Sequence, residues 1–295
     1  MTSDPSAKAS LRVALLQHDI AWRDPVATFE LLTEPIRHAA GAGTQLCVLS
    51  ETFSHGFVVA DDPGAELEGG PSERFLLDQA DAYDMWMAGS VIQIASDGHA
   101  HNNMVVASPR GSIIRYAKQR LFGAERDLVT PGSASLALQI DHVSITPFVC
   151  YDLRFANLWW ERAAQTDLYL LTANWPQRRQ HHWRSLTIAR AIENQCYVAA
   201  VNRVGSGGGI SYVGGSLVVD PWGQVIAEAQ AKPHDSTVSC ATQTLIVDID
   251  TEVVHRARRS FPVLDHRKQG KPGRITERWS HGVADVRIAH RSGAP

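Results

Sequence analysis

The sequence predicts an α/β fold in a single domain, a four-layer α-β-β-α sandwich. Three observations carry that expectation. Apolar runs of strand length recur along the 295 residues, and several are near-continuous rather than alternating, the mark of strands buried on both faces. Amphipathic stretches of helical length lie between them. The same order returns in the second half with no linker between the halves, so two sheets packed face to face, with helices outside, would bury every central strand.

The elements follow in order. Strands are predicted over 11–16, 46–49, 86–94, 104–107, 113–117, 143–149, 168–173, 197–202 and 245–249. Asp24-Pro25 is a cap and first-turn pair opening a helix that Gly41 stops, and Pro35 inside it predicts a kink or break. Gly70-Pro71 introduces a second helix over 72–84. In the second half a helix is predicted near 156–165, and a longer one over 180–194 with Leu186, Ile188, Ala189 and Ile192 on its apolar side. The 205–209 stretch is expected to link to a strand over 213–219, and Asp220-Pro221-Trp222-Gly223 to turn into another. Residues 1–10 are expected to form an extension, 11–265 the folded domain, and 266–295 a tail. That tail is rich in Arg, Lys and His, and reads either as lying on a partner subunit or as a disordered end.

Lys and Arg number 28 against 31 Asp and Glu, a formal net charge of -3, which argues against a nucleic-acid or anionic-membrane partner. No apolar run approaches the ~20 residues of a membrane helix. The opening Met1-Thr2-Ser3-Asp4-Pro5 carries an acid and lacks a signal-type apolar core, so a reduced, cytoplasmic chain is expected. The four cysteines lack the spacing of a zinc site or a disulfide scaffold, and no metal or other cofactor is expected.

Cys47 and Cys196 sit inside apolar runs, where a thiol is an inert small hydrophobe, and Cys240 lies in a polar stretch without an activating neighbour. Cys150 differs. It ends the 143–149 run at a polar turn, and a helix N-terminus there would favour the thiolate over its free pKa of ~8.5. Glu51 and Lys118 end two other apolar runs. Taken singly, these are a buried structural cysteine and two solvated strand ends. Together they put a thiol, a carboxylate and an ammonium at the carboxyl ends of central strands, the rim where sheet-based sites assemble.

Leu49-Ser50-Glu51-Thr52-Phe53, Tyr116-Ala117-Lys118 and Phe148-Val149-Cys150-Tyr151-Asp152 resemble the Glu–Lys–Cys motifs of the nitrilase (carbon–nitrogen hydrolase) superfamily, whose fold is an α-β-β-α sandwich. Within it, Cys150-Tyr151-Asp152-Leu153-Arg154-Phe155, Ala173-Asn174-Trp175-Pro176, Ala189-Arg190-Ala191-Ile192-Glu193-Asn194 and Asn202-Arg203-Val204-Gly205 look like the omega-amidase branch. The resemblance implies Cys150 as nucleophile, Glu51 as general base and Lys118, with the Tyr151 backbone N–H, as oxyanion stabiliser. It also implies a second glutamate, matched by Glu125, although the stretch after Lys118 is shorter than the family pattern and Arg120 replaces an expected histidine.

The implied substrate is a small-molecule amide. In omega-amidases this is the terminal amide of a short dicarboxylate monoamide, such as alpha-ketoglutaramate or alpha-ketosuccinamate. Alternatives are a sibling amidase acting on deaminated glutathione, or a non-catalytic binder that retains the fold. Arg154 is a candidate for the distal carboxylate, since a guanidinium grips carboxylate in a bidentate fork, and a structural salt bridge to Asp152 or a helix acid is the competing reading. Trp175, Phe53 and Phe122 are read as pocket or core. His181-His182 reads as a solvated helix end rather than a metal pair. Of Trp159-Trp160 one is expected in the core and one at a subunit contact, because the resemblance implies a homodimer or higher homo-oligomer.

Overall fold

The computed structural model describes residues 10–57, 63–231 and 242–267. In chain order it contains β1 (Ser10–Gln17), α1 (Pro25–Gly41), β2 (Leu46–Val48), β3 (Glu66–Leu67), α2 (Pro71–Tyr83), β4 (Trp86–Ile94), β5 (Ala100–Ala107), β6 (Ile113–Ala117), α3 (Glu125–Leu128), β7 (Leu138–Ile140) and β8 (Val143–Val149). The second half adds α4 (Ala156–Trp160), β9 (Leu168–Ala173), α5 (Gln180–Asn194), β10 (Tyr197–Asn202), β11 (Val204–Gly207), β12 (Ile210–Val213), β13 (Leu217–Val219), β14 (Val225–Glu228), β15 (Gln243–Asp250) and α6 (Thr251–Ser260). Among the described residues, one sheet runs β15-β1-β2-β4-β5-β6 with β3 beside β4, and the other runs β14-β13-β10-β9-β8-β7.

Strand alternation explains the near-continuous apolar runs. Leu11, Val13 and Leu15 of β1 face the second sheet, in one core with Ile145, Phe148 and Leu170. Ala14 and Leu16 face the other way, onto Leu32 and Ile36 of α1 and Leu76 of α2. On the far side, Trp183 and Ala191 of α5 pack on the second sheet. The layers are therefore α1/α2, sheet, sheet, α4/α5, as predicted. No helix among the described residues is long and apolar enough to cross a membrane.

Local expectations needed four corrections. First, α1 continues through Pro35 unbroken, because Leu32, Ile36 and Ala39 are buried on both sides of it and their packing outweighs one missing backbone bond. Second, the helix predicted near 156–165 stops at Trp160 and resumes only as a 3-10 turn over Ala163–Gln165. The Trp159 carbonyl there accepts the buried Tyr169 hydroxyl instead of a helical N–H.

Third, the 205–209 stretch is no plain linker. It falls across a β11–β12 hairpin, and Gly214 and Gly215, both at positive φ, divide the predicted 213–219 strand in two. Fourth, α5 buries Trp183, Thr187, Arg190, Ala191 and Asn194, whereas Ile192 is 51% exposed. Its inward polar groups are satisfied locally: Arg190 donates to the Leu153 carbonyl, Thr187 to Trp183 and Asn194 to Arg190. Residues 1–9 of the expected N-terminal extension, the tail beyond 267 and Cys240 lie outside the described residues, whereas Ser10 already belongs to β1.

Candidate active site

Glu51 follows β2, Lys118 follows β6 and Cys150 follows β8, so the first sheet supplies the acid and the ammonium and the second supplies the thiol. The three converge. Lys118 Nζ lies 2.7 Å from Glu51 Oε1 and 2.9 Å from Glu125 Oε2, all of them buried. Glu125 opens α3, and its Oε2 also accepts the Phe122 N–H at 2.8 Å, so the shortened stretch after Lys118 still delivers the second carboxylate. Burial alone would pull the Lys118 ammonium down, but Glu51, Glu125 and Cys150 together hold it protonated above its ordinary value.

Glu51 is fixed from three directions. Its Oε2 accepts the Asn174 backbone N–H at 2.8 Å, its backbone carbonyl accepts Asn174 Nδ2 at 2.8 Å, and its Oε1 accepts Asn102 Nδ2 at 3.0 Å. Asn102 Nδ2 also donates to Glu125 Oε1 at 2.9 Å, so one amide bridges both carboxylates. Its orientation is set by Ser90 Oγ, which donates to Asn102 Oδ1 at 2.9 Å and accepts the Thr52 N–H at 2.8 Å. Sequence reasoning missed Asn102. Its signal was an Asn102-Asn103 pair leading into the apolar 104–107 run, polar side chains in a strand with no water to face.

Cys150 begins a 3-10 turn, Cys150–Arg154, at φ +44, a left-handed conformation in which a non-glycine residue is strained. Buried Asp152 holds that turn. It accepts the Val149 N–H at 3.1 Å, the Arg120 N–H at 2.8 Å and the Tyr116 hydroxyl at 3.0 Å, while its own carbonyl accepts Trp159 Nε1 at 3.1 Å. Burial lifts the Asp152 carboxyl to about 6 against the pull of these donors and of Lys118. Arg190 holds the next carbonyl, Leu153, with Nε and Nη2.

The expected thiolate is not the resting form. Burial and the hydrogen-bonded Glu51 carboxylate push the Cys150 thiol well above its ordinary value, outweighing Lys118. A five-residue 3-10 turn supplies little helix dipole to oppose this. The arrangement suits a thiol that gives its proton to Glu51 as it attacks.

Cys150 opens onto a cavity of about 60 Å³ lined by Glu51, Tyr151, Asn174, Trp175 and Phe122, with Arg154, Arg178 and Arg179 among its cationic neighbours. Tyr151 meets Phe122 edge-on at 5.1 Å. Phe53 is not part of it: it is fully buried with Phe29 and Phe75 behind the first sheet. Asp152 is occupied by other donors, so the alternative Arg154–Asp152 salt bridge does not form. Arg154 instead stacks over Trp175, 4.9 Å from the ring centroid, with Nη2 3.1 Å from His182 Nδ1. Trp159 is in the core and Trp160 is half exposed. Arg178, Arg179 and Tyr212 were not singled out from sequence, since an Arg-Arg pair after a proline reads as a solvated turn.

Residues 12–259 match the carbon–nitrogen hydrolase family. A 2-oxoglutaramate amidase of Bacillus subtilis (strain 168) is 30% identical over 264 residues, covering 86% of this chain and 96% of that protein. Omega-amidase YafV of Escherichia coli (strain K12) is 36% identical over 255 residues, with 85% and 94% covered. Among solved structures, XC1258 from Xanthomonas campestris, a CN-hydrolase superfamily protein with an arsenic adduct in its active site, superposes with a TM-score of 0.80 at 31% identity, over 90% of this chain and 99% of that one. This chain belongs to the carbon–nitrogen hydrolase family and is a hydrolase of carbon–nitrogen bonds.

Proposed function

We propose that the chain is an omega-amidase, cleaving the terminal amide of short dicarboxylate monoamides such as alpha-ketoglutaramate or alpha-ketosuccinamate to acid and ammonia. The observation carrying this reading is one cavity lined by Cys150 and Glu51, with Lys118 paired to Glu51, and three arginines at its side. Relatives named as omega-amidase and 2-oxoglutaramate amidase support it. The cavity has room for roughly four to six water-sized groups, which suits a short acyl chain.

In the proposed mechanism, Glu51 takes the Cys150 proton as sulfur bonds to the amide carbon. The resulting oxyanion is stabilised by Lys118 and the Tyr151 backbone N–H, and losing one such donor typically costs ~10²–10³ in rate. Glu51 returns the proton to nitrogen as the C–N bond breaks, releasing ammonia and leaving a thioester. Water then gives a proton to Glu51 and attacks the acyl carbon, and breaking the C–S bond restores the thiol. Glu125 positions Lys118 throughout.

Ammonia release across keto-acid amides, simple amides, nitriles and N-carbamoyl acids tests the reading, with mass spectrometry of the protein during turnover. Dicarboxylate monoamides should lead the panel, and wild-type protein but not Cys150→Ala should carry an acyl mass. Preferential cleavage of a peptide-like amide would defeat the substrate class. Normal ammonia release by Cys150→Ala would defeat the nucleophile.

A further inference from the structure

The arginines beside the cavity are not equivalent. Arg154 is already engaged, stacked on Trp175 and bonded to His182. Arg179 stacks on Phe122 at 4.9 Å, leaving its N–H edges available, and among the described residues its guanidinium makes no hydrogen bond or ion pair. Its backbone is nevertheless fixed. The Trp175 indole N–H donates to the Arg179 carbonyl at 2.8 Å, and the Arg179 N–H donates to the Pro176 carbonyl at 3.0 Å. Burial and the neighbouring charges of Arg178 and Arg154 make its cation costly and pull it below its ordinary value. A half-buried guanidinium among like charges, without a counter-ion, is a position that an anion completes.

The far end of the cavity has the opposite polarity. Glu51 and Glu125 set two carboxylates against the single ammonium of Lys118, so the floor repels a carboxylate while the arginine side attracts one. A substrate with one neutral and one anionic end is thereby oriented amide first.

We infer that Arg179 grips the distal carboxylate of the substrate in its guanidinium fork, while Arg154 braces the Trp175 wall of the same cavity. This rests on the monoamide reading above. It shifts the carboxylate contact from the residue that the sequence suggested to one that it did not.

The test compares kcat/KM for glutaramate with that for its neutral isostere glutaramide, by ammonia release, in wild type, R179Q, R179K and R154Q. Glutarate inhibition of glutaramide hydrolysis is measured in parallel. Wild type should prefer glutaramate. R179Q should lose that preference by about 30-fold, the scale of a charge-assisted pair, and bind glutarate correspondingly more weakly. R179K, a point charge without the fork, should restore only part. R154Q should lower both substrates together. The inference is overturned if R179Q and R179K keep the wild-type preference, or if R154Q alone abolishes it. Failure of the monoamide reading looks different: wild type itself would show no preference and no inhibition by glutarate.

Discussion

Asn102 is the most exposing place to perturb the site, because it bonds both carboxylates without itself lining the cavity. Asn102→Leu removes two hydrogen bonds to buried carboxylates while nearly preserving side-chain volume. Such charge-assisted bonds are worth about 1.5–3 kcal/mol each, a gross loss of about 3–6 kcal/mol. The carboxylates keep Lys118 and the backbone donors at Asn174 and Phe122, which absorb part of it. A net loss of about 3 kcal/mol at the transition state corresponds to roughly 10²-fold. Because Asn102 acts through Glu51 and Glu125, the loss should fall on kcat with KM little changed. Asn102→Ala, which leaves room for a water to bridge the carboxylates, should recover part of it. Steady-state ammonia release read alongside urea unfolding makes the measurement. A kcat within threefold of wild type, in folded Asn102→Leu, would refute the idea that this amide sets the carboxylate geometry.

Two further perturbations probe charge. Glu125→Gln keeps an acceptor for the Phe122 N–H but removes one of the two charges on Lys118, and kcat should fall about 10²-fold through mispositioning, with the fold retained. Loss as complete as that of Cys150→Ala would instead make Glu125 part of the proton transfer. His18 is held neutral: burial lowers it to about 4, with Nδ1–H donating to the Asp19 carbonyl and Nε2 facing Ser50 Oγ at 3.1 Å. A base depressed in the fold stabilises fully above its unfolded pKa of ~6.5, and that stability is lost as pH falls toward about 4. Between pH 7.5 and 5.0 the loss is about 2 kcal/mol, and His18→Gln should remove that slope from urea-unfolding curves. Asp152, lifted to about 6, titrates in the opposite sense, so the wild-type-minus-variant difference is the quantity to read. An unchanged slope in His18→Gln would show that another group governs the acid limb.

Glu51, Lys118 and Cys150 were legible because each closes an apolar run, and a charge or thiol at a buried strand end has few structural uses. The layers were legible for a related reason: strands buried on both faces cannot alternate. What sequence hid was phase and reach. The buried stripe of α5 contains Thr187, Arg190 and Asn194, whose polar groups find backbone partners only after folding, so counting apolar residues rotated the helix wrongly. The bonds from Asn102 and Asn174 to Glu51 were hidden because they span 51 and 123 residues. Arg179 and Arg178 are adjacent and chemically alike, and only folding separates them: Arg178 is exposed, whereas Arg179 is partly buried, stacks on Phe122 and has its carbonyl held by Trp175.

The pairing of β1 with β15 has a consequence for how the molecule comes into being. The first strand finds its outer neighbour only in residues 243–250, antiparallel along its whole length. As the ribosome delivers the chain, the sheet that carries the acid and the amine keeps a bare edge until β2 to β14 have all emerged. That order leaves a long interval in which the edge can pair with the wrong strand.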